Sequence, residues 1–262
     1  MSAILLDQSI VHYEALGRGR PIVFLHGWVG SWRYWLSSMQ VASTYYRAYA
    51  VDLYGYGDTS HDPLKYSLDK QASLLSGFLD ELGIGKIAIV GHGLGALVGF
   101  YFAAQQPGSV DRIMAVSCPL DFNSIHARLK TSDAAELVDW LSNRSPESLN
   151  ALSDASKADQ RAVTASMTSF QSDGLFSQFR SSNLPCLLVY GENDVAMRVP
   201  DVEEIEPYGL HMHQVNLEDS GHFPMMDDAD KFNRLLTDFL ALESGFSPRE
   251  LQLKEEWKRR VR

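Results

Sequence analysis

A mostly parallel central β-sheet flanked by helices, an α/β fold with a helical cap inserted into it, is the architecture this sequence predicts. Three observations carry it. Short apolar runs at residues 22–25, 49–53, 87–90, 113–116 and 187–190 each break off into Gly, Ser or charged residues, as strands buried on both faces do. Helical periodicity lies between several of these runs, and strand alternating with helix builds a parallel sheet wrapped on both sides. The alternation stops after Cys118-Pro119 and resumes only at Pro185, leaving a polar, Ser-rich stretch of helical pattern with no strand signal. The expected division is a core of residues 1–119 and 184–246, a cap of residues 120–183 and a C-terminal helix over residues 247–262.

In chain order, Met1-Ser-Ala-Ile-Leu-Leu-Asp7 has no basic leading segment and meets an acid after a very short apolar run, which does not make a secretory signal. The helix expected over residues 68–82 puts Leu68, Ala72, Leu75, Leu79 and Leu82 on one face, with Gly83 as its C-terminal cap. After the strand at 87–90, Gly91-His92-Gly93-Leu94-Gly95 opens a helix over residues 94–105. In the cap, Ala134, Leu137, Val138 and Leu141 form an apolar stripe, Ser145-Pro146 starts a helix with Pro at its first position, and residues 157–170 form another. A disordered linker is the alternative there, and Trp140, Phe170, Phe176 and Phe179 speak against it because they need a surface to pack on. Ser247-Pro-Arg-Glu reads as a capping box before the last helix. Leu253, Trp257 and Val261 share a face of that helix, and Lys254, Lys258, Arg259, Arg260 and Arg262 make it basic; docking on the body or solvation is expected ahead of partner binding.

Composition bounds the function classes. A chain of 262 residues, 45% hydrophobic and 21% charged, supports one sizeable core and excludes disorder, collagen-like repetition and a disulfide-stapled scaffold. With 23 Lys+Arg against 33 Asp+Glu the formal charge is −10, which opposes binding to nucleic acid and to anionic membranes. No apolar run approaches the ~20 residues that span a bilayer. Cys118 and Cys186 lie in apolar runs, as buried thiols in a reducing compartment do. A soluble, cytoplasmic protein is expected.

The Gly91–Gly95 turn stands in the strand–turn–helix context of a nucleophile elbow, G-x-S-x-G, with glycine at 93 where the serine belongs. A phosphate-binding loop is its rival, but the glycine spacing is wrong and no lysine follows, so no nucleotide cofactor is expected. His211 and His213 alternate on an edge-like strand without a third ligand in reach, and no metal is expected. Tyr54 and Tyr56 read as packing and turn residues.

On this turn and four further motifs the chain resembles the α/β-hydrolase superfamily over residues 10–243. His26-Gly27-Trp28 is similar to its H-G-x oxyanion loop, and Asp52-Leu-Tyr-Gly-Tyr-Gly-Asp-Thr-Ser60 to its D-x-x-G-x-G-x-S turn. Gly191-Glu-Asn-Asp194 is similar to its acid turn, and Ser220-Gly-His222-Phe-Pro to its histidine loop, in the family's order. The resemblance implies His222 as general base, Asp194 as acceptor of its other ring N–H, and the backbone N–H groups of Trp28 and Leu94 as oxyanion donors. It implies supporting hydrogen bonds from His26, Gly27 and His92. Gly93 holds the nucleophile position and can attack nothing. The implied activity is esterase-type hydrolysis of a small apolar carboxylic ester, disabled at Gly93 by design or drift, or run by water with His222 as base. A ligand-binding or regulatory protein of the same fold is the alternative. An Asp-nucleophile epoxide hydrolase or dehalogenase ancestry is less expected, because Leu94 rather than Trp follows Gly93 and no Pro follows His26-Gly27-Trp28. No cofactor is expected, and self-association into a homodimer is left open.

Overall fold

The computed structural model describes residues 2–170 and 172–251. At its centre is an eight-stranded sheet in the order β1-β2-β4-β3-β5-β6-β7-β8. The strands are β1 (Ser2–Leu6), β2 (Ser9–Gly17), β3 (Arg20–Leu25), β4 (Tyr46–Val51), β5 (Ile87–His92), β6 (Val110–Val116), β7 (Cys186–Gly191) and β8 (Met212–Leu217). β1–β2 and β2–β4 are antiparallel and every other pairing is parallel. Each of the five apolar runs lies in a parallel-paired strand, and β5 and β7 are buried from end to end, which is why they read as unbroken apolar runs. One boundary shifts: Asp52 and Leu53 lie beyond β4, because the Asp52 carboxylate turns aside to cap neighbouring loops. The β1–β2 hairpin carries no glycine signal, since its turn uses Asp7 and Gln8 at φ +47° and +63°.

Helices α1 (Leu36–Ala42), α2 (Leu68–Glu81) and α3 (Leu94–Gln105) flank this sheet. α2 ends as expected: Gly83 takes φ +65° and Ile84 N–H returns to the Leu79 carbonyl at 2.9 Å. Both Phe100 and Phe102 of α3 are fully buried, so that helix is apolar all round rather than amphipathic.

Residues 120–183 contribute α4 (Ala127–Thr131), α5 (Ala134–Leu141), α6 (Pro146–Ala151), α7 (Gln160–Ser169) and α8 (Ser172–Leu175), then a 3₁₀ turn at Phe176–Ser181. No strand occurs there among the described residues; a single bridge joins Ile125 to Met197. The helix expected over 157–170 is divided. Asp159 N–H leaves for the Gly55 carbonyl at 2.8 Å while its side chain caps α7 through Arg161 N–H, so the chain breaks before Gln160. α9 (Val202–Ile205), α10 (Pro224–Asp227) and α11 (Ala229–Ala241) complete the order, with α11 packed on α1.

The capping box expected at Ser247 does not form. Its hydroxyl accepts Arg249 N–H and donates to the Leu210 carbonyl, which makes one 3₁₀ turn at Pro248–Glu250. The helix expected to follow, with Leu253, Trp257 and Val261, lies outside the described residues.

Candidate active site

Gly93 turns the chain between β5 and α3 at φ +47° and ψ −107°, a conformation glycine adopts without side-chain clash. Its N–H donates to the Val116 carbonyl at 2.9 Å and its own carbonyl accepts Leu97 N–H at 3.2 Å, which pins the turn to β6 and to α3. Gly95 is needed for another reason: a Cβ there would run into the Leu25 carbonyl of β3. β4 lies on one side of β3 and β5 on the other, so the loops after β3 and β5 part at the switch point where α/β sheets hold ligands.

The loop after β3 is His26-Gly27-Trp28. Fully buried His26 sets one nitrogen, Nδ1, 2.8 Å from the Gly27 carbonyl and accepts Leu53 N–H on Nε2 at 3.0 Å, which fixes a neutral Nδ1–H tautomer. Burial lowers its pKa against the pull of Asp52. The Trp28 indole lies across the elbow: a Cβ on Gly93 would sit 3.2 Å from its ring atoms. Its Nε1–H donates to Ser166 Oγ of α7 at 3.0 Å. The backbone N–H groups of Trp28 and Leu94 meet no acceptor among the described residues.

His222 follows β8, Asp194 follows β7, and the parallel β7–β8 pair closes the 28 residues between them. His222 Nδ1 stands 2.9 Å from Asp194 Oδ2 and 3.1 Å from Oδ1. Asp194 Oδ1 also accepts the N–H groups of Ala196 and Met197. Burial pushes this carboxyl upward, but the charge and hydrogen bond of His222, with Ala196 N–H and the Ser117 hydroxyl, outweigh it and hold the pKa below its ordinary value. The His222 ring lies 4.7 Å, centroid to centroid, from that of His92, the residue before Gly93.

The sequence reading passed over four residues that shape this site. Tyr34 touches Gly27 and His92 through its hydroxyl. Ser117, a non-glycine residue at φ +44°, approaches the His222 carbonyl at 3.3 Å. Ser166 holds the Trp28 indole. Buried His12 meets Asp52 at 2.8 Å; desolvation opposes its charged form, yet Asp52 raises its pKa. Asp52 in turn accepts the N–H groups of Trp32 and Asp58 at 2.9 and 3.1 Å, joining the loops after β3 and β4. None of these has a residue-type signal, because each depends on where a distant backbone passes.

A cavity of about 380 Å³ opens between the core and residues 145–151, lined by Trp32, Tyr34, Ser148, Ala151, Met225 and Met226 among others. Gly93, Trp28, Leu94 and His222 are not among the residues that line it. Among the described residues no group of three His, Cys, Asp or Glu is arranged to hold a metal ion.

A family model described as "Alpha/beta hydrolase family" matches residues 22–235. The chain belongs to this family. Human epoxide hydrolase 4 is 25% identical over 89% of the chain and 76% of its own length. Epoxide hydrolase 2 of Siraitia grosvenorii is 35% identical over 127 residues, 47% of this chain. The chain spans only 39% of that curated relative's length. A solved structure of a putative aryl esterase from Burkholderia cenocepacia superposes with a TM-score of 0.79 at 21% identity, over 91% of this chain and 97% of its own. That likeness is one of fold.

Proposed function

We propose that this chain is a carboxylic ester hydrolase scaffold that retains base, orienting acid and oxyanion donors and lacks a nucleophile at Gly93. The observation that supports it most is the buried His222–Asp194 pair, 2.9 Å apart, beside an elbow where the N–H groups of Trp28 and Leu94 meet no acceptor among the described residues. With a hydroxyl at position 93, His222 takes its proton as the oxygen attacks the ester carbonyl, and Asp194 stabilises the imidazolium. The carbonyl oxygen gains charge against the two N–H groups, Leu94 helped by the positive end of α3. His222 then returns the proton to the departing alkoxide, and water repeats the sequence on the acyl-enzyme. With Gly93 in place, the pair has only water to activate. Turnover is then weak or absent, since loss of a triad nucleophile costs on the order of 10⁶ in rate. The substrate is a small apolar ester held beneath residues 120–183 as a cap.

The names of the sequence relatives favour a second reading: the same scaffold built for a carboxylate nucleophile, acting on epoxides. Gly93→Ser and Gly93→Asp separate the two, each beside a His222→Ala control. Gly93→Ser is expected to raise cleavage of short-chain p-nitrophenyl esters by about 10³-fold or more. Activity of Gly93→Asp alone, on an aryl epoxide, would move the assignment to the second reading. If both variants fold and neither exceeds its control, the chain is a binding protein.

A further inference from the structure

We propose that Tyr34 and His92 are positioning residues that form one hydrogen-bonded strut between the loop carrying Trp28 and the backbone of His222. The strut is a geometric feature of the chain; its catalytic meaning rests on the ester hydrolase reading above. Gly27 N–H donates to the Tyr34 hydroxyl, that hydroxyl stands 3.0 Å from His92 Nδ1, and His92 Nε2 stands 2.9 Å from the His222 carbonyl.

The protons on this path have one consistent arrangement with His92 neutral. A carbonyl only accepts, so His92 Nε2 carries its hydrogen and donates it to His222. Nδ1 of the neutral ring is then an acceptor, and the Tyr34 O–H must be its donor. The Tyr34 oxygen meanwhile accepts Gly27 N–H, so every group in the chain is satisfied. A second proton on His92 would turn the Tyr34 hydroxyl away without giving it a new partner. Burial, with His222 alongside, holds the His92 pKa well below its ordinary value.

The placement singles this path out from ordinary core packing. A core residue at position 92 needs no ring nitrogens; here both are used, and they bridge the two loops that carry the oxyanion donor and the base. His92 is the residue before Gly93, so all three parts of the site meet through it. The Phe223 ring closes the gap, 5.2 Å from the His92 ring and 5.7 Å from Tyr34. Ser117 Oγ adds a longer second bond to the same His222 carbonyl, at 3.3 Å. Asp194 fixes the ring of His222, and the strut fixes the backbone from which that ring projects. A shift of one ångström in such a group costs about 10²-fold in rate.

The test has two independent arms. In the protein with Gly93 unchanged, ¹⁵N–¹H correlation spectra of the histidine rings are expected to show His92 as a neutral Nε2–H imidazole. Tyr34→Phe, which keeps the ring and removes the hydroxyl, should move the His92 nitrogen shifts and shift or broaden the proton shared by His222 and Asp194. In the Gly93→Ser background, Tyr34→Phe should lower kcat for ester cleavage about 10-fold or more with KM little changed. His92→Gln, which can donate and accept in place of the two ring nitrogens, should retain more kcat than His92→Leu. Unchanged His222 resonances in Tyr34→Phe, or equal kcat in His92→Gln and His92→Leu, would overturn the strut. An inactive Gly93→Ser would overturn the ester hydrolase reading alone, because the spectra still report on the strut.

Discussion

Gly93 and Gly95 stand two residues apart in one turn and constrain it by different means. At Gly93 the obstacle is the backbone, φ +47°, with the Trp28 ring near enough that a methyl group would shift it by a few tenths of an ångström. At Gly95 the obstacle is the Leu25 carbonyl of β3, which is main chain in a sheet and cannot rotate aside. Gly93→Ala is therefore expected to fold with a loss of about 1–3 kcal/mol, and Gly95→Ala to lose about 3 kcal/mol or more as α3 lifts from β3. Urea unfolding measures both; equal losses would show that contact with β3 does not set the position of α3. At this scale the loops that bear Asp194 and His222 were legible, and beyond the paired β7 and β8 they bring the two side chains within 2.9 Å of each other. Tyr34 and Ser117 were not. One reaches the site through a hydroxyl 58 residues away in sequence from its histidine, and the other by a left-handed backbone that serine does not advertise.

Among the elements, those with one dominant local signal were legible: α3 matches its expected bounds, α6 starts at Ser145-Pro146, and α2 stops at Gly83. The β1–β2 hairpin escaped because Asp7-Gln8 adopts a turn usually marked by Asn-Gly or Asp-Gly. The break before α7 escaped because it is made by tertiary hydrogen bonds of Asp159 to Gly55 and to Tyr66. The seam between residues 145–169 and the core depends on similar contacts. Asp154, 4% exposed, receives Ser31 and Arg33 from the loop after β3 and Lys157 from its own turn. Burial alone would raise the Asp154 carboxyl, but Lys157 and Arg33 outweigh it and lower its pKa. A carboxyl with a depressed folded pKa contributes stability above the ordinary carboxylate value and loses it as pH falls through the lower folded one. Amide exchange in residues 146–169, corrected for the intrinsic effect of pH, is therefore expected to speed up between pH 5 and about 3. In Asp154→Asn it should be fast at both; a variant that still shows the full acid response would assign that response to other carboxylates.

At the scale of the whole molecule, residues 120–183 were expected to form one inserted unit, and the topology divides their work. β6 and β7 are parallel neighbours, Ile113 opposite Cys186 and Val116 opposite Val189. The chain must therefore travel back along the sheet between them, a crossover that takes a dozen or more residues. α8 and the turn at Phe176–Ser181 supply the return. They lie against α3, with the Phe176 and Phe179 rings each 5.0 Å from Phe100, and those three side chains are buried. α6 and α7 instead contact the loops after β3 and β4, α6 against the turn at Trp32–Trp35, α7 through Ser166 to Trp28 and the residue before it, Asp159, to Tyr66. Two deletions then have different outcomes. Removing residues 127–169 and closing the gap with a flexible Gly-Ser linker leaves the crossover intact. That variant is expected to keep the sheet and unfold cooperatively, while binding an apolar dye at the uncovered Trp28 and Tyr66. Removing residues 120–183 leaves β6 and β7 without a return path and takes away the aromatic partners of Phe100. Loss of two such buried rings costs about 3–5 kcal/mol each, a large share of the roughly 5–15 kcal/mol that holds a domain together, so this form is expected to be insoluble or non-cooperative. Circular dichroism and urea unfolding of the two variants decide the matter: a longer deletion as stable as the shorter would show that α8 and its turn belong to the insertion and not to the sheet.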